Sequence, residues 1–308
     1  MKLPEGMEQV APVPMTPPVL PRRDRFAHKG DFGRVYLLAG SVGFTGAPVL
    51  AAAGALKTGA GLVTVGTPQG AYPAVAAKLL CAMPRPLPEK DGVVAEGALP
   101  GIFKALRTAD AALVGPGLGR ADTVARAVIA EADCPLVVDA DGINALAGHI
   151  DVLDARRDKV TVLTPHLGEF VRLLGEKRSN PYVAAKDFAE AHGCVLVLKG
   201  YRTLTALPSG QTIVNPTGNP GMATGGSGDV LAGMLVSLLG QGFAPEWAAP
   251  AAVYLHGRAG DLAAEALGEY AMTAADLLTY LPAAVREGEL RGAHPEGTRE
   301  SGDAPAGA

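Results

Sequence analysis

The chain has 308 residues, a net charge of −4, 48% hydrophobic and 19% charged residues. It can therefore bury a large core, and its charge argues against nucleic acid as a main partner. Cys81, Cys134 and Cys194 lie far apart with no metal-ligand or redox spacing, and they read as reduced core thiols of a cytoplasmic protein. No apolar run can span a bilayer and no basic-then-apolar leader opens the chain, so neither a membrane partner nor a signal peptide is expected.

Residues 1–27 are Pro-rich with mixed charge (APVPMTPPVLPRRD) and read as an extended arm, partly ordered at best. Strands are predicted at Val35–Ala39, Leu62–Gly66, Ala112–Val114, Leu136–Asp139, Val160–Leu163 and Cys194–Leu198, because each is a short, continuous apolar run. Helical segments fall between them at Ala47–Thr58, Val75–Leu80, Leu99–Arg107, Thr123–Glu131, Ile143–Ala147, Leu167–Leu174 and Pro181–His192. Thr203–Leu207 and Thr212–Val214 flank Pro208-Ser209-Gly210, a hairpin pattern. Helices Val230–Leu239, Glu246–Leu267 and Thr273–Leu281 follow, and the Ala-rich Glu246–Leu267 is a candidate subunit interface. From residue 287 the sequence is polar, Gly/Pro-rich and aperiodic, so 287–308 is expected to be a disordered tail. Residues 28–286 read as one α/β domain, with a mostly parallel sheet covered by helices on both faces.

In such a sheet the functional site lies at the carboxyl ends of the strands. Five polar or Gly-rich clusters each follow a strand directly: Gly40–Ala47, Gly115–Gly119, Asp139–Asn144, Thr164–Glu169 and Lys199–Thr203. GPGLG would let backbone approach a ligand, or is a plain tight turn. Asp139 and Asp141 could orient a metal or hydroxyl, or satisfy turn N–H groups. His166 begins a helix, where the dipole favours neutral imidazole; it is a ligand contact or a cap. Lys199 could reach a phosphate, or simply solvate a strand end. His256, in an Ala-rich helix, reads as a packed residue.

The central stretch is Asn215–Leu239, where Gly225-Gly226-Ser227-Gly228-Asp229 runs into a helix. Free N–H groups and the positive dipole end make that junction an anion site, most often for phosphate. Asp229 is a helix cap, or a carboxylate that takes a proton beside the anion. Two adjacent glycines ahead of it exceed what a cap requires.

Taken together, GSVGFTGAP, GPGLG, VVDADGINAL, LTPHLGEF, LKGYRT and NPTGNPGMATGGSGDVLAG resemble the ADP- or ATP-dependent NAD(P)H-hydrate dehydratases, relatives of the ribokinase-like kinases. The resemblance runs from about His28 to Leu281 and implies a ribokinase-like fold. It implies a substrate, the 6S hydrate of NADH or NADPH, whose hydroxyl is phosphorylated and then leaves as phosphate. Asp229 would be the general base, and the N–H groups of Gly226, Ser227 and Gly228 the anion hole. Ala47, Gly117, His166 and Asp229 would contact the hydrated dinucleotide. Lys199, Gly200, Tyr201, Arg202 and Thr203, with Gly228, would bind ADP or ATP. Mg²⁺ is expected to ride on the nucleotide phosphates, with no protein metal site. The family also implies a homotetramer and a separate epimerase for the other hydrate epimer. A vitamin or thiazole kinase of the same fold, and a catalytically silent nucleotide-binding module, are the competing readings.

Overall fold

A computed structural model describes residues 2–293. The first half contains β1 (Val13–Pro14), β2 (Arg34–Leu38), α1 (Gly46–Lys57), β3 (Leu62–Pro68), α2 (Tyr72–Ala76) and β4 (Met83–Leu87). A small hairpin, β5 (Glu89–Lys90) and β6 (Val93–Val94), precedes α3 (Leu99–Leu106), β7 (Ala111–Val114), α4 (Asp122–Glu131) and β8 (Leu136–Val138). Next come α5 (Asp141–Asn144), α6 (Asp151–Asp154), β9 (Thr161–Leu163), α7 (Leu167–Leu174), α8 (Pro181–His192) and β10 (Val195–Leu198). Strands β11 (Leu204–Ala206) and β12 (Thr212–Val214) lead to α9 (Ser227–Gly240), α10 (Pro245–Leu267) and α11 (Ala274–Ala293).

Ten strands form one sheet in the order β1-β12-β11-β10-β9-β8-β7-β2-β3-β4. Every adjacent pair is parallel except the two that involve β11. The strands are apolar throughout because both faces are covered. Tyr36, Leu38, Val114, Val138 and Leu196 pack on one side, with α3, α4, α7 and α8. Val35, Leu37, Leu113, Val137 and Val197 pack on the other, with α1, α9 and α10. Helix α9 is buried along nearly its whole length, which demands close helix–helix approach. Gly54 and Gly233 permit it, since a side chain on either would strike the backbone of the facing helix, at Val230 and Ala51 respectively.

Four expectations need correction. The Pro-rich arm is built into the fold: Met7 is fully buried, β1 pairs with β12, and the Leu20 N–H donates to the Gly288 carbonyl at 3.1 Å. That carbonyl belongs to the stretch read as tail, which continues α11 as far as Ala293; the rest of 287–308 lies outside the described residues. Gly288 and Gly292 form a flat strip on which Leu20 sits, so the two ends order each other. The Ala-rich face of α10 packs on β-sheet, α9 and α11 within the protomer, so an interface on that helix would use its other side. Finally, only Cys194 is a core thiol, its pKa pushed up to about 12 by burial; Cys134 is half-buried, and Cys81 is exposed just before edge strand β4. Among the described residues no helix is long and apolar enough to cross a membrane.

Candidate active site

The five clusters follow β2, β7, β8, β9 and β10, five strands that are contiguous in the sheet. The chain runs outward from β2 to β3 and β4 on one side and from β7 to β10 on the other. The crevice of such a sheet opens where the order reverses, here between β2 and β7. Their loops meet across it: the Gly40 N–H donates to the Pro116 carbonyl at 2.8 Å, and Ser41 Oγ to the Gly117 carbonyl at 2.8 Å. Gly117 has φ +59°, and a side chain on it would come within 3.0 Å of Ala47 Cβ and Phe44 Cβ. Ala47 and Gly117 are thus in close contact across the two loops.

The two aspartates after β8 do different work. Asp141 accepts the Gly119 N–H at 2.8 Å and Asn144 Nδ2 at 3.3 Å, so it fixes the GPGLG turn. Asp139 is 1% exposed, and its Oδ1 accepts Thr164 Oγ1 at 2.7 Å and Lys199 Nζ at 2.8 Å. Between them Ala140 has φ 50° and ψ −116°, a region a side chain rarely adopts without support from its surroundings. Lys199 Nζ also lies 3.9 Å from Glu169 Oε2. Burial pushes the lysine pKa down, but Asp139 and Glu169 outweigh it and the net shift is upward, so the ammonium is retained.

His166 is the cap of α7. Its Nδ1 accepts the N–H groups of Gly168 and Glu169 at 3.0 and 3.2 Å, while Glu169 Oε2 accepts the His166 N–H at 2.8 Å. This reciprocal capping box holds a half-exposed ring whose Nε2 lies 3.5 Å from Glu169 Oε1. Glu169 therefore touches both His166 and Lys199, whose backbones are bridged in parallel past the ends of β9 and β10. Beyond Lys199, Gly200–Thr203 form a turn closed by Thr203 Oγ1 on the Gly200 carbonyl at 3.1 Å. Arg202, at φ +58°, reaches the Pro216 carbonyl, and Tyr201 projects into solvent.

Helix α9 starts from Gly226, φ +91°, with no side-chain cap. Asp229 is thus not a capping residue. Burial, and then Asp139, raise its carboxyl to about pKa 7, against the opposing pull of Lys199. Gly228 lies under the lysine: a methyl there would sit 3.2 Å from Lys199 Nζ and 3.9 Å from Asp139 Oδ2. On the other side, Leu50 of α1 covers Gly226, which brings the Ala47 end of α1 to the same place. Of the three N–H groups expected to form an anion hole, that of Ser227 already has a long bond, 3.4 Å, to the Thr224 carbonyl.

One residue dismissed from the sequence belongs here. His256 is buried, and its Nε2 lies 3.0 Å from the Ser227 carbonyl oxygen. An Ala-rich helix partner 29 residues away carries no local sequence signal. A concavity of about 650 Å³ lies elsewhere; Arg23, Phe32, Lys57, Gln241 and Phe243 line it near the amino ends of β2 and β3. None of the motif residues borders it.

A family model for NAD(P)H-hydrate dehydratase matches residues 35–283. A bifunctional NAD(P)H-hydrate repair enzyme from Moorella thermoacetica is 46% identical over 276 residues, 87% of this chain and 52% of that protein. The chain thus spans about half the length of that relative. The ADP/ATP-dependent NAD(P)H-hydrate dehydratase of Bacillus subtilis, co-crystallised with ATP/Mg²⁺, superposes with a TM-score of 0.73 at 34% identity, covering 88% of this chain and 95% of that one. A ribokinase-like superfamily protein from Enterococcus faecalis gives 0.76 at 29% identity, covering 88% and 93%. The fold is ribokinase-like.

Proposed function

The chain belongs to the NAD(P)H-hydrate dehydratase family, and from that membership we propose that it converts the 6S hydrates of NADH and NADPH back to NADH and NADPH at the expense of a nucleotide. With ADP, the hydroxyl oxygen of the hydrate attacks the β-phosphorus and its proton passes to Asp229. The bond to AMP breaks as the new phosphate ester forms. The ring nitrogen then expels phosphate, and loss of a proton from the neighbouring carbon restores the double bond. The balance is hydrate plus ADP to reduced dinucleotide, AMP and phosphate; ATP would serve equally through its γ-phosphorus.

The observation that carries this reading is an uncapped carboxyl, held near pKa 7, at the start of a glycine-built helix turn. A general base works best when its pKa lies near the operating pH. Gly226 and Gly228 would offer N–H groups to the charge that grows on the phosphoryl group, with Ser227 a weaker third donor. Lys199 would add a fixed positive charge, with Gly200 to Thr203 along the nucleotide. Ala47, Gly117 and the half-exposed ring of His166 would line the hydrated dinucleotide. Mg²⁺ would ride on the nucleotide, since Asp139 is already engaged by Lys199 and Thr164. It would neutralise nucleotide oxygens. We also propose a homotetramer, which light scattering would measure.

Incubation with the NADH hydrate, Mg²⁺ and ADP or ATP should restore NADH absorbance. Nucleotide consumption only with an unrelated alcohol would favour a small-molecule kinase, and binding without turnover a silent module. Gly228→Ala gives a second test. Gly228 does not have positive φ, and Ala suits a helix better than Gly, so the variant should fold with unchanged or higher Tm. Its methyl intrudes between the turn and Lys199 Nζ, so kcat/KM should fall by roughly tenfold or more, the scale of a disturbed anion hole. Wild-type kcat/KM in that variant would contradict phosphate placement at this turn.

A further inference from the structure

We propose that His256 is a positioning residue for the turn Gly225–Asp229, holding the Ser227 peptide so that the Gly228 N–H faces the transferred phosphoryl group; this rests on the phosphoryl-transfer reading above. His256 sits on α10, 8% exposed, with Nε2 3.0 Å from the Ser227 carbonyl oxygen and 3.4 Å from Ser227 Oγ. A ring nitrogen facing a carbonyl can only donate, so Nε2 carries the proton. Burial holds the imidazole down at about pKa 4, helped by Lys199 and opposed by the bond to Ser227, and the ring stays a neutral donor at working pH.

The Ser227 carbonyl and the Gly228 N–H belong to one planar trans peptide and point in opposite directions. Anchoring the oxygen against the core therefore aims the N–H outward. Ser227 opens α9, so His256 is a second donor to a carbonyl at the helix's first, least restrained turn. Gly225, Gly226 and Gly228 have no side chains, glycine backbone is permissive, and no side chain caps α9. His256 is itself held. Thr217 Oγ1 donates to the Tyr254 carbonyl at 2.9 Å, and Gly257 is pressed against Thr217, which clamps this part of α10 to the loop before the turn.

The test compares His256→Leu with His256→Gln, whose amide can donate to the same carbonyl. In the Leu variant kcat should fall by about tenfold or more with the KM for the hydrate within about twofold, the pattern of a lost transition-state contact. The Gln variant should recover to within about threefold of wild type. Amide hydrogen exchange over 223–231 should quicken in the Leu variant and return toward wild type in the Gln variant. The midpoint of the pH–rate profile should not move in either, since Asp229 titrates there. Wild-type kcat and exchange in the Leu variant, a Gln variant no better than Leu, or a shifted midpoint would each overturn the proposal. Failure of the unmodified protein to act on the hydrate would count against the dehydratase reading instead, and the exchange of 223–231 would still decide the role of His256.

Discussion

Asp229→Asn is expected to fold, bind ADP with about wild-type affinity, and lose turnover by about 10²–10⁴-fold, the range for removal of a general base. The unmodified enzyme should show a rate that climbs with pH and levels off above about 7, because the carboxylate is the active form and burial lifts its pKa to about 7. The groups that face it are Asp139, Asp141 and Glu169, which raise the value, and Lys199, which lowers it. The same shift has a consequence for stability. A carboxyl whose pKa is higher folded than unfolded favours the native state at low pH, and that benefit is lost as pH rises from the unfolded value toward 7. Asp229→Asn should therefore raise Tm at pH 8, by an amount corresponding to on the order of 2–4 kcal/mol, and leave it nearly unchanged at pH 4. Calorimetry at the two pH values and stopped assays of the hydrate measure both effects. Turnover within tenfold of wild type would remove Asp229 as the base.

Much of this site was legible because its parts obey local rules. Continuous apolar runs such as Ala112–Val114 and Leu136–Val138 are what a doubly covered parallel strand requires, so the strands and the polar clusters that follow them could be placed from the sequence. The alternatives at single residues were decided only by three-dimensional neighbours. Asp141 serves a turn and Asp139 holds a lysine, a difference that rests on Gly119 and Lys199. His166 proved to be a cap whose ring is still half-exposed. What escaped was long-range or atypical. Strand β4, MPRPL, carries two prolines that only an edge position tolerates. The arm and the end of α11 look unstructured alone because each finds its partner at the far end of the chain. Glu287, assigned to a tail, instead pairs with Arg258 of α10 at 2.9 Å.

The largest loss of stability is expected from Arg156→Met, at a residue with no local sign of importance. Arg156 is 1% exposed and has no buried carboxylate as partner. Its guanidinium donates instead to the carbonyls of Ile129 and Ala132 at the end of α4, to those of Cys134 and Val160 at the entries to β8 and β9, and to Thr161 Oγ1. The final carbonyls of a helix lack intrahelical donors and form the negative end of its dipole, so a fixed cation there supplies both charge and hydrogen bonds. Burial pulls its pKa down, yet a guanidinium stays charged under such a load. Met fills similar volume but leaves several buried carbonyls unpaired, and breaking a buried polar network of this kind costs about 3–5 kcal/mol. For a chain of this size that lowers Tm by roughly 5–8 °C. Arg156→Lys should fall in between, because one ammonium cannot span five acceptors on three elements. These contacts lie at the amino ends of the strands and the proposed active site at their carboxyl ends, so kcat at 25 °C should be nearly unaffected in both variants. Thermal melts of the three proteins, paired with the hydrate assay, separate the outcomes. A Tm within a degree or two of wild type would show that α4 and the sheet hold together without the guanidinium, and a fall in kcat matching the fall in Tm would show that the two ends of the strands are not independent.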